Sequence, residues 1–113
     1  MRAPQQAVLL RIYTEEGKQD GGKPLYEEIV LKARAAGLAG ATVLRGPMGY
    51  GLRGTVHTAK ILDLSANLPL VIEIVDSEGK VRAFLGELGA MQDLGLVTLE
   101  KVEVVHYGGA QRG

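Results

Sequence analysis

The 113-residue sequence contains no cysteine. That excludes a disulfide scaffold, thiol chemistry and a zinc or iron–sulfur site built on thiolates. Net charge is missing as well, since 13 Lys and Arg balance 13 Asp and Glu. A neutral chain is a poor candidate for nucleic-acid binding driven by counterion release. Four tyrosines and one phenylalanine offer no stacking platform for single strands. No apolar run approaches the roughly 18 residues that cross a bilayer, so direct membrane insertion is not expected. The opening Met1-Arg2-Ala3-Pro4-Gln5-Gln6 leads into an apolar stretch cut short by Arg11. It is too brief for a signal h-region, and a cytoplasmic protein is expected.

The usual catalytic kits are also thin. Ser65 and Ser77 have no histidine nearby and no elbow motif, which leaves a hydrolase triad without support. Asp76 and Glu78 stand at a strand–helix junction, where helix capping explains them better than acid–base work. His57 and His106 lie far apart in sequence, and no His–carboxylate set shows metal-ligand spacing. An enzyme is not expected.

What is present is a globular balance, with 46% apolar and 23% charged residues. One domain over residues 1–113 is expected, with residues 1–6 and 108–113 as flexible termini. Ala7 to Tyr13 alternates as a strand, with Val8, Leu10 and Ile12 on one face and Leu9, Arg11 and Tyr13 on the other. Thr14 to Lys23 reads as a loop. Pro24 suits the first position of a helix whose stripe is Leu25, Ile29, Ala33 and Ala36. Glu27 and Glu28 in its first turn and Lys32 and Arg34 in its last complement the helix dipole. Gly37 is its expected left-handed terminator.

Ala41 to Leu44 reads as a second strand, and Thr55 to Ser65 as either a returning strand or a mobile loop. Leu70 to Val75 is a third strand, β-branched on nearly both faces. Asp76 or Ser77 caps a second helix from Glu78 to Gln92 with the stripe Val81, Phe84, Leu85, Leu88 and Met91. Val97 to Tyr107 is the last strand. Ile12 to Lys18 and Ile74 to Lys80 share the pattern Ile-x-x-x-Glu-Gly-Lys, which suits two βαβ halves. The order predicts an α+β, ferredoxin-like βαββαβ sandwich, a four-stranded antiparallel sheet with two helices on one face.

Two helices cover only one face of such a sheet, yet the strands are apolar on both. Leu9 and Tyr13, or Val71 and Val75, have no helix to meet, and an exposed patch of that size is not tolerated by monomers. The second face is therefore expected to be buried between subunits, the other solution being a loop folded over it.

Charge is uneven along the chain. No acid lies between Glu28 and Asp63, a stretch that carries Lys32, Arg34, Arg45, Arg53, His57 and Lys60. Arginine suits bidentate contacts to phosphate or carboxylate, and so few cations fit a small anionic metabolite better than a polyanion. Within this stretch Gly46, Gly49, Gly51 and Gly54 allow close backbone approach and a possible nest of N–H groups. The order is neither that of a P-loop nor of a dinucleotide-binding turn, and a strand bulge with a tight turn explains it equally.

Leu10-Arg11-Ile12-Tyr13, Gly22-Lys23-Pro24-Leu25-Tyr26, Gly40 to Gly46, Met48-Gly49-Tyr50-Gly51 and Leu68 to Asp76 together resemble the domain of unknown function 190 family, a PII-like group. The resemblance runs from about Val8 to Tyr107. It implies a homotrimer of ferredoxin-like subunits, similar to nitrogen-regulatory PII proteins, with ligands in the clefts between subunits. It also implies a signalling role. A small anion, for which an adenine nucleotide is the candidate, would bind beside Arg45, Gly46, Gly49, Tyr50, Gly51, Arg53 and Lys60. Gly49-Tyr50-Gly51 matches the turn at the base of the PII loop, and residues 53–62 would form that loop. The loop would relay binding to an unidentified protein partner, a membrane transporter among the candidates. The resemblance thins at Asp93-Leu94-Gly95-Leu96, which has no counterpart of the PII lysine motif. It also thins between Gly51 and Leu68, where no tyrosine stands for modification. Two alternatives remain: a ligand-free interaction or structural module, and a metal-binding stress protein resembling the CutA group that uses His57 or His106.

Overall fold

The computed structural model describes residues 5–51, 54–58, 67–89 and 94–108. The alternating segment after Gln5 forms β1 (Gln5–Glu15). Gln5 and Gln6 pair with Val104 and Glu103, so the strand begins inside the stretch expected to be a flexible terminus. The rest of that stretch and residues 109–113 lie outside the described residues.

The expected loop after β1 contains a small hairpin, β2 (Gln19–Asp20) and β3 (Lys23–Pro24). Asp20 pairs with Lys23, and Gly21 and Gly22 between them have φ of 61° and 84°. Two successive positive φ values make the two-residue turn that matches strand twist.

Helix α1 (Leu25–Ala35) follows, with Pro24 at its N-cap rather than at its first helical position. Leu25, Ile29 and Ala33 are its buried stripe. Gly37, at φ 78°, ends it as the sequence predicts. The Leu38 amide donates to the Ala33 carbonyl and the Gly37 amide to the Arg34 carbonyl, the double bond of a Schellman motif.

Then come β4 (Thr42–Arg45), the short β5 (Met48–Gly49) and β6 (His57–Thr58), and the long β7 (Pro69–Asp76). Helix α2 (Glu78–Leu88) starts at Ser77, whose hydroxyl accepts from the Lys80 amide. Its described turns end at Leu88 and Gly89, short of the expected Gln92, and residues 90–93 lie outside the described residues. Strand β8 (Leu96–Val104) closes the sequence of elements. Val105, His106 and Tyr107, expected to continue the strand, fall beyond it.

The main sheet has the order β4-β7-β1-β8. All three pairings are antiparallel, the arrangement of two interlocked βαβ halves. Residues directly opposite one another share a face, so the register sorts the faces. Val8, Leu10 and Ile12 align with Ile72, Ile74, Val97 and Leu99 on one side. Both helices pack there: the core joins these residues to Leu25, Ile29, Val81, Phe84 and Leu88.

The other face carries Leu9, Tyr13, Leu44, Val71, Val75 and Leu96, and neither helix reaches it. Tyr13 and Leu44 are exposed. Across its middle, Arg11 Nε meets Glu73 Oε2 at 2.9 Å and Nη1 meets Glu100 Oε1 at 3.4 Å. The hydrogen bond that Arg11 donates to Glu73 raises the Arg11 pKa further above its ordinary value, so this cation keeps its charge at any physiological pH. The Thr55 to Ser65 segment that could have covered the face contributes β6, while residues 59–66 lie outside the described residues.

Candidate functional site

The glycine-rich stretch leaves the main sheet at Arg45, the end of the edge strand β4. It is fixed by Pro69, the first residue of β7. The Gly46 amide donates to the Pro69 carbonyl at 2.9 Å. A Cβ on Gly46 or on Gly49 would stand 3.1 Å from Pro69 Cγ. Both glycines are thus explained by packing, because the chain passes closer to the proline ring than a side chain comfortably permits. Neither Gly46, Gly49 nor Gly51 is among the glycines with positive φ. Gly54 is, at 73°, and its amide donates to the Gly51 carbonyl at 2.9 Å. The strand-and-tight-turn reading of the four glycines therefore holds better than a continuous nest.

Beyond Pro69 the chain pairs with itself. Met48 aligns with Thr58 and Gly49 with His57, so β5 and β6 form a hairpin whose tip begins at Tyr50. Tyr50 is 74% exposed. Five of the expected site residues, Arg45, Gly46, Gly49, Tyr50 and Gly51, lie together on this root. Arg53 and Lys60 lie outside the described residues.

Arg45 is not a bare cation. Its Nη2 lies 2.9 Å from Glu16 Oε2. Glu16 Oε1 accepts from the Leu68 amide at 3.2 Å, and the Glu16 amide donates to the Leu68 carbonyl at 2.9 Å. The neighbouring Gly17 amide donates to Asn67 Oδ1. The end of β1, the end of β4 and the approach to β7 are tied at one point. Sequence reading missed Glu16, Asn67 and Pro69 as parts of this site. They are distant in sequence from Arg45, and only the charge of Glu16, standing opposite a basic stretch, could have signalled a link.

The opposite end of the sheet holds a second polar cluster. Asp76 is buried; its Oδ2 accepts from the Ala39 amide at 2.8 Å and its Oδ1 from the Ser77 amide at 2.7 Å. The Tyr107 hydroxyl donates to the Ala39 carbonyl at 2.7 Å. These bonds join the α1–β4 connection to the start of α2, which fits the capping role expected of Asp76 and Ser77. Beside them lies a recess of about 260 Å³ lined by Gln6, Ala7, Val8, Glu78 and Lys101. The glycine-rich root stands at the far end of β1 from it, because Glu15 aligns with Pro69 and Val8 with Asp76. Among the described residues no group of three or more His, Asp or Glu side chains is placed to hold a metal ion. No described helix is long and apolar enough to cross a membrane.

Comparison with known proteins adds kinship to this geometry. An UPF0166 protein of Aquifex aeolicus (strain VF5) is 43% identical over 98 residues, covering 87% of this chain and 92% of that one. An UPF0166 protein of Methanocaldococcus jannaschii is 42% identical over 82 residues, covering 73% of this chain and 75% of its own. In fold, the chain is similar to CPII, a nitrogen regulatory PII-like protein from Thiomonas intermedia K12, with a TM-score of 0.65 at 17% identity, covering 90% of this chain and 91% of that one. CPII has been seen with ADP and bicarbonate, and with ADP, AMP and bicarbonate. The family model of DUF190, described as an uncharacterized ACR, matches residues 7–104, and the chain belongs to that family.

Proposed function

We propose that this chain is a single-domain, non-catalytic PII-like regulator that assembles as a homotrimer. It binds a small anion, an adenine nucleotide being the leading candidate, in clefts between subunits. The observation that carries this reading is the β5–β6 hairpin. Its glycine root is packed on Pro69 and its exposed Tyr50 stands next to the end of a sheet edge. A hairpin anchored at its root can change order when a ligand touches that root, which is a known way of switching a partner-binding surface. Arg45, Gly46, Gly49, Tyr50 and Gly51 line the ligand side, with Arg53 and Lys60 contributing from the adjoining chain. The open apolar sheet face supports the trimer, and the CPII likeness supports the choice of ligand.

The test is calorimetry with ATP, ADP, AMP and cyclic AMP, each with and without bicarbonate, on protein whose mass is followed by light scattering. Micromolar or tighter binding to a trimer is expected. Flat titrations throughout would remove the nucleotide. A protomer mass at micromolar concentration would remove the intersubunit cleft.

The Arg45–Glu16 pair favours a second reading, a ligand-free interaction module, because the one described cation at the root already has an anion. Recovery of the same protein partner with and without nucleotide would support that alternative.

A further inference from the structure

Arg45 is the described cation at the root of the β5–β6 hairpin, and the fold has already given it an internal anion. Its side chain is 64% exposed while that of Glu16 is 25% exposed. The guanidinium is therefore reachable from solvent, and the carboxylate is the more firmly held partner. Glu16 is fixed from two directions that do not involve Arg45: its backbone amide bonds the Leu68 carbonyl, and its Oε1 accepts from the Leu68 amide. The next residue is bound to Asn67. Only Oε2 faces Arg45.

We infer that Glu16 is a built-in competitor for Arg45, a carboxylate that an anionic ligand must displace at the guanidinium and that thereby sets how tightly the site holds anions. The inference rests on the function proposed above and names a residue that tunes its affinity. A phosphate group bonds a guanidinium bidentately with more charge than one carboxylate oxygen carries, so it wins the exchange. A singly charged anion gains little over the carboxylate already in place. Glu16 acts through Arg45 and is a positioning residue. Its removal tightens anion binding, and only while Arg45 is present, which loss of a merely structural contact would not do.

The variant that separates these roles is Glu16→Gln. The amide oxygen still accepts from the Leu68 amide, so the anchor stays, while the charge facing Arg45 disappears. Calorimetry with ADP, AMP and acetate is run on the wild type, Glu16→Gln, Arg45→Ala and the double variant at fixed ionic strength. Thermal melting confirms that all four fold. Because Arg45 is largely exposed, removing the competitor is expected to tighten ADP binding by about two- to five-fold. The gain should be of similar ratio for every anion that bonds Arg45, and it should vanish when Arg45 is also alanine. ADP binding by the wild type with no tightening in Glu16→Gln, or with tightening that survives Arg45→Ala, overturns the inference and leaves the proposed function standing. Binding seen only in Glu16→Gln supports the inference in its strongest form. Flat titrations for every variant overturn both.

Discussion

The two faces of the sheet are made from the same strands and the same residue types, yet they end differently. Leu10, Ile12, Ile72 and Ile74 beneath the helices are at most 1% exposed. One residue along, on the other side, Val75 is 36% and Leu96 61% exposed. β-Branched alternation fills a strand but does not say which side will be covered. Cover comes from elements supplied elsewhere, and the described residues supply two helices of 11 residues each. The open face also contains what the covered one does not, a charged row of Glu73, Arg11 and Glu100 across three strands. A face meant for a featureless core has no use for such a row. A face meant to meet other copies in one orientation does, since each charge must find its place there.

The comparison breaks most severely at the covered face. Phe84 is 1% exposed at the centre of the helix–sheet layer. Phe84→Ala should cost about 3–5 kcal/mol in urea unfolding, through lost transfer energy and the cavity left behind. A cost near that of a surface change would mean that the helices are not the true cover. Next in size is Gly95→Ala, at the entry to β8. Gly95 has φ 89°, and a Cβ there would stand 2.2 Å from the Tyr13 carbonyl oxygen. Adopting that φ alone costs a side-chain-bearing residue about 1–3 kcal/mol, and the overlap with backbone adds to it. The β1–β8 register, which keeps both faces aligned, should loosen at Tyr13–Leu96. Faster exchange of the amides at that end, with those near Gln5 unchanged, is the measurement.

How much of this was legible beforehand follows from how local each cause is. The strands, the helices and their order come from periodicity, and Gly37 and Ser77 end and begin helices by bonds to residues three to five positions away. Those were readable. The β2–β3 hairpin was missed because strands of two residues carry no period, although Asp20-Gly21-Gly22-Lys23 holds the turn chemistry. Close backbone approach is what the sequence predicts at Gly46 and Gly49, but not that the Pro69 ring is what approaches. Gly95 needs both its positive φ and room for the Tyr13 carbonyl. Both approaching groups sit across the sheet, where sequence spacing gives no hint. The pairing of Arg45 with Glu16 was hidden for the same reason, so an apparently free basic stretch contained a partnered arginine.

On the open face the same logic predicts a change in mass rather than in folding. Val75 aligns with Leu9 there. In a lone protomer Val75→Asp would be a surface substitution worth within about 0.5 kcal/mol. Between subunits it would bury a carboxylate without a partner, which folded assemblies do not tolerate. On the trimer proposed above, light scattering should therefore show Val75→Asp as a folded protomer and the wild type at three times that mass. An unchanged mass for both would show the face to be wet.

The smallest expected effect lies in the exposed first turn of α2. Arg82 Nε binds Glu78 Oε2 at 2.8 Å, one turn apart in the first half of the helix. That hydrogen bond, helped by the positive charges of Arg82 and Lys101, holds the Glu78 carboxyl below its ordinary pKa. A pKa lowered by folding means that the folded state favours the ionised form. Its contribution is complete above the unfolded glutamate value of about 4.3 and is lost as pH falls through the lowered folded value. The stability difference between wild type and Glu78→Gln should therefore be flat from neutrality down to the ordinary glutamate range and should shrink below it. Because the pair is exposed, the difference is small and raised salt should reduce it further. A difference that instead grew on acidification would mean that folding raises the Glu78 pKa, and that Arg82 does not hold the carboxylate.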